Sequence, residues 1–495
     1  MRQHCIFLFA LCALLHVRVR EASSAVELVK KRFEGELKRL GKPQNVQDAL
    51  SVHATAFSLC RTLKSIHGHV DRSSANVRSL GRIGQSGKRF SPVAYGADPT
   101  GVKDSSPAFD LLLRDFLNAT SVNGKSMASN IKDLGGAIID LGGGQFKLTS
   151  PIVIPPMFGN AHIIQGTLRA ASSFPSDRWL VEIGDAATCK PTLPSGKPDG
   201  QGSCGEFINV DNILFDAAFT AAGGIKVDKV MGTTISTAFV TGFTDVGIKI
   251  DAGHEVMVTD AWLAECYWSD HTRCSNSSSI GIQINGNDHY LTDVIVFDYA
   301  KIGVEINGAA NVLTAVHTWN GGGTGISLGT KTSTYGAHQN RLIGCYLDYN
   351  TLDMFDPSSV VIESTFFLST HAVLHAVKGS IDGLTMRYNT YTTPQSVVLD
   401  GTFGSVKGVL ISEETGAAKA TRATKSLYQQ NASSWTFDFT SELLFPDIDQ
   451  VSYSVTSDSS SFFNHMARPP QGGKVTIVTS EPVDATVVVA VTQGV

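Results

Sequence analysis

Carboxylates recur at matching places in the middle of the chain, and paired carboxylates can perform acid–base chemistry. Asp260 and Asp293 follow similar short apolar segments, and so do Glu265 and Asp298. Two acids about 5 Å apart resist ionising together, so one can donate a proton while the other accepts one. Glycoside hydrolysis requires this chemistry. The same pattern also fits turn positions that tolerate any hydrogen-bonding side chain, and both interpretations stay open.

The stretch HTWNGGGTGISLG, His317 to Gly329, adds a histidine and a tryptophan. His317 is a candidate catalytic residue or a packed histidine, because sequence alignment of the repeats places it among apolar residues: Trp262, Ile295 and Leu347. Trp319 is either core or a surface on which a sugar ring stacks. Its aligned positions are Ala264, Phe297 and Tyr349, and Tyr349 is the second candidate for sugar contact.

Positive charge is sparse around these segments and therefore informative. Lys301 and Arg341 could receive the carboxylates of an acidic polysaccharide, and Lys249 lies in a similar place. A salt bridge to Glu305 or Asp245 is the alternative for Lys301. No Cys/His cluster has zinc spacing and no phosphate-loop motif occurs, so we expect no metal and no cofactor, with a calcium site built from scattered Asp and Glu as the open alternative. A net charge of -5 argues against a nucleic-acid partner.

A repeat of about 22 residues predicts the elements that position these side chains. Gly303 aligns with Gly325, and Thr292 aligns with Thr314. Asp260 lies 33 residues before Asp293, so an insertion of 11 residues adds to that period here, and the segment KTSTYGAH, 331–338, is expected to be a further loop. Short apolar strands stacked at this period are typical of a coil in which each turn buries its apolar face against its neighbours. The fold class is therefore all-β, a parallel β-helix over residues 90–405.

Other segments flank this coil. Residues 25–70 have the apolar spacing of helices, and residues 71–89 read as a polar linker. Within the coil's first turn, Ser106 is expected to cap a helix with Phe109, Leu112, Leu113 and Phe116 on its inner face. Residues 425–495 alternate as antiparallel strands do, which predicts a small β unit at the end of the coil.

Residues 1–24 have the pattern of a signal peptide, so we expect a secreted, extracellular chain without a membrane span. Pairs Cys189–Cys204 and Cys266–Cys274 each bracket a loop and are candidate disulfides, while Cys60 and Cys345 could pair or stay free. Asn118, Asn276 and Asn431 stand in glycosylation sequons. A monomer is expected.

The stretch VAYGADPTGVKDSSPAFDLLLRDF resembles the opening of the pectin lyase-like superfamily of right-handed parallel β-helices. The matching residues are Gly96, Ala97, Gly101 and Asp104. With DVIVFDYAKIGVEINGAANVLTAVHTWN and NASSWTFDFTSELLFPDID, the mature chain is similar to the divergent plant polygalacturonases of the Quartet type, outlying relatives of the family 28 glycoside hydrolases. The resemblance implies a secreted cell-wall hydrolase that cleaves α-1,4-galacturonosyl bonds of de-esterified pectin.

The family 28 catalytic motifs are replaced at the aligned positions. Thr324 stands where the family has a histidine, and Ile302 and Ile280 stand at aspartate positions. Either the register differs, or the acids come from a neighbouring strand, or activity is lost. The alternatives are a calcium-dependent pectate lyase, a rhamnogalacturonan hydrolase, and a wall protein that binds pectin without cutting it.

Overall fold

The structure is a computed structural model that describes residues 88–119, 126–193, 195–199, 202–266, 278–319, 323–333, 336–417 and 419–495. The chain divides into two compact units, Met1–Gln85 and Ser86–Val495. The first unit lies outside the described residues, and with it the predicted signal peptide, N-terminal helices, most of the linker, and Cys60. Cys274 and Asn276 also lie outside them. No helix of the described residues is long and apolar enough to cross a membrane.

Stacked parallel strands form two sheets, which confirms the predicted parallel β-helix. The described part of the long sheet has 22 strands: Arg89–Phe90, Thr100–Asp104, Lys132–Asp140, Gln145–Leu148, Phe158–Ala170, Gly205–Asp216, Val230–Met231, Thr234–Ser236, Phe239–Thr241, Met257–Thr259, Trp262–Ala264, Tyr290–Thr292, Ile295–Phe297, Val312–Thr314, His317–Trp319, Arg341–Ile343, Tyr346–Asp348, Ser358–Glu363, Phe366–Leu368, Ser380–Arg387, Thr390–Tyr391 and Ser405–Ser412. The described part of the second sheet, called here the ten-stranded sheet, consists of Ile152–Ile154, Trp179–Ile183, Gly223–Asp228, Val246–Asp251, Ile280–Ile284, Ile302–Ile306, Thr324–Leu328, Leu352–Phe355, Ala372–His375 and Val397–Asp400.

A typical rung contributes two strands to the long sheet and one to the ten-stranded sheet. Leu291 pairs with Leu313 and Thr292 with Thr314, as the 22-residue repeat predicted. The inward side chains of each strand are buried between the sheets, and Leu291, Val296 and Val304 have no exposed surface. Because the apolar residues alternate with outward ones, every rung presents polar side chains on its outer faces.

The predicted alignment fails by one residue after Trp319. His317 pairs with Tyr346 and Trp319 with Asp348, whereas the sequence repeat assigned Leu347 and Tyr349 to these places. The loop between Leu328 and Arg341 is one residue shorter than the repeat implied, and in a strand a shift of one residue moves a side chain to the opposite face.

The α-helix Ser106–Leu117 covers the first rungs and buries the predicted face of Phe109, Leu112, Leu113 and Phe116. Its N-cap is Ser105, not Ser106. Ser106 instead lies in the first turn, where its Oγ accepts a hydrogen bond from Thr149 N at 2.8 Å. Short 3-10 helices occupy Pro92–Tyr95 and Ala128–Asn130.

The C-terminal residues form an antiparallel sheet, as the alternation predicted. Its described strands are Arg422–Asp438, Gln450–Ser457, His465–Ala467 and Lys474–Thr492. This sheet has its own core around Trp435 and Phe437. The boundaries at residues 90, 405 and 425 stay predictions.

A buried ladder of polar side chains marks the bend from the ten-stranded sheet to the long sheet. Asn311 Oδ1 accepts a hydrogen bond from His289 N, and Asn340 Oδ1 accepts one from Asn311 N, both at 2.9 Å. Asn311 Nδ2 in turn donates to the carbonyl of Gly286 at 3.2 Å, and Asn340 Nδ2 to that of Gly308 at 3.1 Å. The ladder satisfies backbone groups that the bend would otherwise bury without partners.

Cysteine pairing follows the prediction where the structure describes it. Cys189 and Cys204 form a disulfide across a sequence separation of 15 residues. Cys266 is also disulfide-bonded, but Cys274 lies outside the described residues, so that pairing stays a prediction. Cys345 is a free, buried thiol.

Removing the Cys189–Cys204 disulfide is expected to destabilise the protein by about 3 kcal/mol, because a cross-link over a loop of this length restricts the unfolded chain by that amount. The test is guanidinium unfolding of the Cys189→Ser/Cys204→Ser double variant. Cys345→Ala is the control, since it removes a cysteine without removing a cross-link. Equal unfolding midpoints for the wild type and the double variant would contradict a stabilising role.

Candidate active site

The outer face of the ten-stranded sheet carries a column of polar side chains over several consecutive rungs. The strand pairings place these residues in register: Lys226, Lys249, Gln283, Glu305, Ser327 and Asp353. A second column two residues further along contains Asp228, Asp251, Asn285 and Asn307. Along the first column, the two lysines therefore precede the carboxylates Glu305 and Asp353.

Glu305 lies at the centre of a hydrogen-bonded network on this face. Its Oε1 accepts hydrogen bonds from Gln283 Nε2 at 2.7 Å and from Asn307 Nδ2 at 2.8 Å. Asn285 joins the network, since its Oδ1 accepts from Asn307 at 2.9 Å and its Nδ2 donates to Asp251 at 2.6 Å. With Glu305 only 5 % exposed, the network fixes the position of a largely buried carboxylate.

An open cleft of about 560 Å³ adjoins Glu305. Its lining also includes Lys301, Thr330, Thr332 and Ser333. Thr332 and Ser333 belong to the segment KTSTYGAH, 331–338, that the sequence predicted as an extra loop. The cleft therefore brings a carboxylate, an ammonium group and several hydroxyls to one place.

Asp353 is the next carboxylate along the same column, with Ser327 between it and Glu305. Its Oδ2 accepts a hydrogen bond from Thr324 Oγ1 at 2.6 Å. Two strand spacings separate the Glu305 and Asp353 backbones, which corresponds to about 9.5 Å. A separation of this size leaves room for a glycosidic bond and a water molecule between the two carboxyl groups.

The early rungs of the column carry two lysines, and a neighbouring aspartate partly neutralises their charge. Lys226 Nζ lies 3.4 Å from Asp251 Oδ2, and Lys249 Nζ lies 3.7 Å from the same atom. Both ammonium groups lie over the Trp179 ring, at 5.8 and 5.4 Å from its centroid. Burial raises the pKa of the neighbouring Asp228 carboxyl.

The sequence-predicted pair Asp260 and Asp293 lies at a bend of the long sheet. The φ angles are 51° at Asp260 and 54° at Asp293, and the corresponding residues of the next two rungs, Ala315 and Gly344, have 53° and 63°. Each rung therefore adopts a left-handed conformation here, which aspartate tolerates better than most residues. A backbone requirement is a sufficient reason for these two aspartates, and their catalytic role stays a prediction.

Glu265 and Asp298 are both buried, at 1 % and 5 % exposure. The Glu265 Oε2 atom accepts hydrogen bonds from Ser279 Oγ and, at 2.8 Å, from Ala300 N. Glu265 thus links the end of one rung to the start of the next strand of the ten-stranded sheet.

His317 packs in an aromatic cluster on the outer face of the long sheet. Its ring is parallel to that of Tyr346, with centroids 4.3 Å apart, and Trp319 stacks on Phe297 at 5.1 Å. The His317 Nε2 atom lies 4.0 Å from Asp348 Oδ2. Burial lowers the pKa of His317 to about 4 and raises that of Asp348, and burial together with Asp348 raises the pKa of Tyr346 to about 12.

The low pKa of His317 predicts a loss of stability in acid. An unfolded histidine titrates near 6.5, so between pH 6.5 and about 4 the unfolded chain binds more protons and the free energy of unfolding falls as the pH falls. His317→Phe keeps the stacked ring and removes the proton, and should abolish a contribution of roughly 2–3 kcal/mol to this decrease. Guanidinium unfolding at pH 7, 5.5 and 4 tests this; parallel curves for wild type and variant would contradict it.

The structure separates the other sequence-predicted residues. Lys301 lines the cleft, whereas Arg341 lies on an exposed position of the long sheet. Tyr349 is 69 % exposed at a left-handed turn with φ of 59°. The sequons at Asn118 and Asn431 are on exposed positions, which is what glycosylation requires.

The positions at which the family 28 motifs are missing carry two isoleucines and a threonine. Ile280, Ile302 and Thr324 lie in one column, as aligned. Ile280 and Ile302 are buried in a small cluster with Trp179, Ala222 and Val246. No acid–base group can act from the two isoleucine positions, so an active site on this sheet must use the adjacent polar column.

Sequence reasoning missed Gln283, Asp353 and the catalytic potential of Glu305. The signal was present, because the 22-residue period that aligns Gly281, Gly303 and Gly325 also aligns Gln283, Glu305 and Ser327. Among the described residues, no group of three or more His, Cys, Asp or Glu side chains is arranged to hold a metal ion.

The stacked parallel sheets define the class of the protein, a parallel β-helix. Among curated proteins, the chain is 33 % identical over 425 residues to Polygalacturonase QRT3 of Arabidopsis thaliana, covering 82 % of this chain and 84 % of that protein. The chain belongs to this family, the divergent polygalacturonases of the Quartet type.

Family models and solved structures give weaker similarities than this relative does. No family model matches the chain. A family 28 exopolygalacturonase of Yersinia enterocolitica is 11 % identical with a TM-score of 0.38, covering 67 % of this chain and 78 % of that one. The ORF18 protein of Geobacillus virus E2 is 12 % identical with a TM-score of 0.42, covering 80 % and 77 %. Scores this low assign no residue a role.

Proposed function

We propose that this chain is a secreted hydrolase of the plant cell wall that cleaves α-1,4-galacturonosyl bonds of de-esterified pectin. The observation that carries the proposal is the placement of Glu305 and Asp353 two rungs apart on the outer face of the ten-stranded sheet, in a member of the polygalacturonase family. The predicted signal peptide at residues 1–24 supports secretion.

The environments of the two carboxylates suggest different roles. Glu305 accepts hydrogen bonds from two amide groups, an arrangement suited to the carboxylate that takes a proton from the attacking water. Asp353 has a single hydroxyl donor on one oxygen, and we assign it the proton that passes to the leaving glycosidic oxygen. Lys301, exposed at the cleft, is placed to bind the carboxylate of a galacturonic acid residue.

A second candidate function is pectin binding without cleavage. It is favoured by the isoleucines at two aspartate positions of the family 28 motifs. In that case the polar column would hold the polysaccharide along its length, and Glu305 would serve only to order Gln283 and Asn307.

The test is to incubate the purified secreted protein with polygalacturonic acid, with and without a calcium chelator, and to follow reducing ends and unsaturated products together. Reducing ends that are indifferent to chelation support the hydrolase. Unsaturated product would make the chain a lyase. Binding without either product would favour the binding protein, and cleavage of rhamnogalacturonan alone would change the substrate.

A further inference from the structure

A histidine lies between two carboxylates on the last strands of the ten-stranded sheet. His375 Nδ1 is 2.7 Å from Asp400 Oδ2, and its Nε2 is 3.5 Å from Asp353 Oδ1. The Nε2 atom is buried and has no hydrogen-bond partner among the described residues. The imidazole therefore connects the proposed acid of the site to a second carboxylate that is 61 % exposed.

The position of this imidazole is fixed by its neighbours. Its ring lies parallel to that of Phe355, with centroids 4.4 Å apart. Phe355, His375 and Asp400 follow one another on successive strands. The charged groups next to the histidine on these strands are Asp353 and Asp400. His371 is a further titratable group near Asp353. Burial lowers the pKa of His371, and the charge of Asp353 partly opposes this effect.

Because Asp400 accepts the Nδ1 proton, the Nε2 atom is left to exchange a proton with Asp353. Hydrogen bonding at one imidazole nitrogen determines the role of the other. The Nε2–Oδ1 distance of 3.5 Å is slightly longer than a hydrogen bond, and catalytic hydrogen bonds commonly shorten when substrate binds.

We propose that His375, oriented by Asp400, is a positioning residue that supplies the catalytic proton of Asp353. This inference rests on the proposed function. In each turnover the Asp353 carboxylic acid protonates the glycosidic oxygen as the bond to the anomeric carbon breaks. Water adds to that carbon and gives its proton to Glu305.

The resting state is then restored by proton transfers alone. Protonated His375 gives its Nε2 proton to Asp353 and keeps its Nδ1 proton on Asp400. Solvent returns a proton to Nε2, and Glu305 releases its proton to solvent. No oxidant, metal or further reactant is required.

The test compares the pH profiles of kcat and KM for the wild type and for His375→Gln. We expect kcat to fall 10- to 100-fold with little change in KM, and the alkaline limb of the profile to move to lower pH by about one unit, because Asp353 loses its source of protons. Asp400→Asn should give a smaller change in the same direction. Exogenous imidazole should restore part of the activity of His375→Ala.

His254→Gln is the matched control, since His254 forms a similar pair with Asp288 at 3.1 Å on a turn outside this arrangement. It should leave the pH profile unchanged. An unchanged profile in His375→Gln, or a loss of activity that neither moves the alkaline limb nor responds to imidazole, would overturn the relay.

A second measurement separates this inference from the proposed function. Titration of the His375 ring by NMR in the substrate-free protein should show its midpoint moving to lower pH in both Asp353→Asn and Asp400→Asn. This result would support the shared proton even if the wild type did not hydrolyse pectin. A midpoint that neither substitution moves would overturn the relay whatever the activity.

Discussion

Glu305→Gln is expected to reduce kcat on polygalacturonic acid by about 10³-fold while leaving the fold intact, because a positioned general base contributes 10²- to 10⁴-fold to such a reaction. Glutamine preserves the size of the side chain in the network of Gln283 and Asn307 but cannot take a proton from water. KM should change little, since the substitution removes an interaction of the transition state. Initial rates of reducing-end formation and a circular dichroism spectrum of each variant measure both quantities.

Asp353→Asn should cause a loss of the same order, since it removes the proposed acid. Glu363→Gln, on the long sheet, makes the same chemical change away from the cleft and should retain activity. Asp293→Asn decides between the two assignments, because asparagine also tolerates the left-handed turn at this position. If Asp293→Asn were inactive and Glu305→Gln were active, the catalytic role would belong to the Asp260–Asp293 pair.

Gly308→Ala is expected to destabilise the fold by about 3 kcal/mol or more. A Cβ atom at this position would lie 1.7 Å from the carbonyl oxygen of Gly286 on the preceding rung. That backbone is held by its neighbouring strands and by the buried amide of Asn311, so it cannot move aside cheaply. Overpacking in a well-ordered interior costs about 1–3 kcal/mol, and a clash with backbone belongs at the upper end.

Guanidinium unfolding followed by circular dichroism measures this effect. Gly404→Ala is the matched control, because a Cβ atom there would meet nothing within 4 Å. The midpoint should fall clearly for Gly308→Ala and stay near the wild-type value for Gly404→Ala. Equal midpoints would mean that adjacent rungs can separate at the bend, contrary to the close stacking described above.

The repeat was sufficient to predict how rungs stack, but not which face carries the chemistry. Glycines and threonines at a spacing of 22 residues aligned strands correctly as far as Trp319. After Trp319 a loop of unknown length intervened, and an error of one residue moved Tyr349 from a strand to an exposed turn. Periodicity alone cannot detect such a shift, because loop length is not set by the stacking of strands.

The predicted acids illustrate a second limit. Asp260 and Asp293 were noticed because both rungs have the same residue at one position, and a left-handed backbone is a sufficient reason for that repeat. Glu305 and Asp353, on the outer face of the ten-stranded sheet, differ from their column neighbours Gln283 and Ser327, so no repeated residue type marked them. The His375–Asp400 contact joins rungs of different length and becomes visible only in three dimensions.

The central claim is that Glu305 and Asp353, whose backbones are two strand spacings or about 9.5 Å apart, hydrolyse a galacturonosyl bond with water between their carboxyl groups. Proton NMR of the first anomer released from polygalacturonic acid, recorded before mutarotation, tests it most directly. Since the substrate bond is α, the expected first product is the β anomer, and Glu305→Gln should release almost none. An α anomer would require carboxyl groups about 5 Å apart and would contradict this pair, as would an unsaturated product.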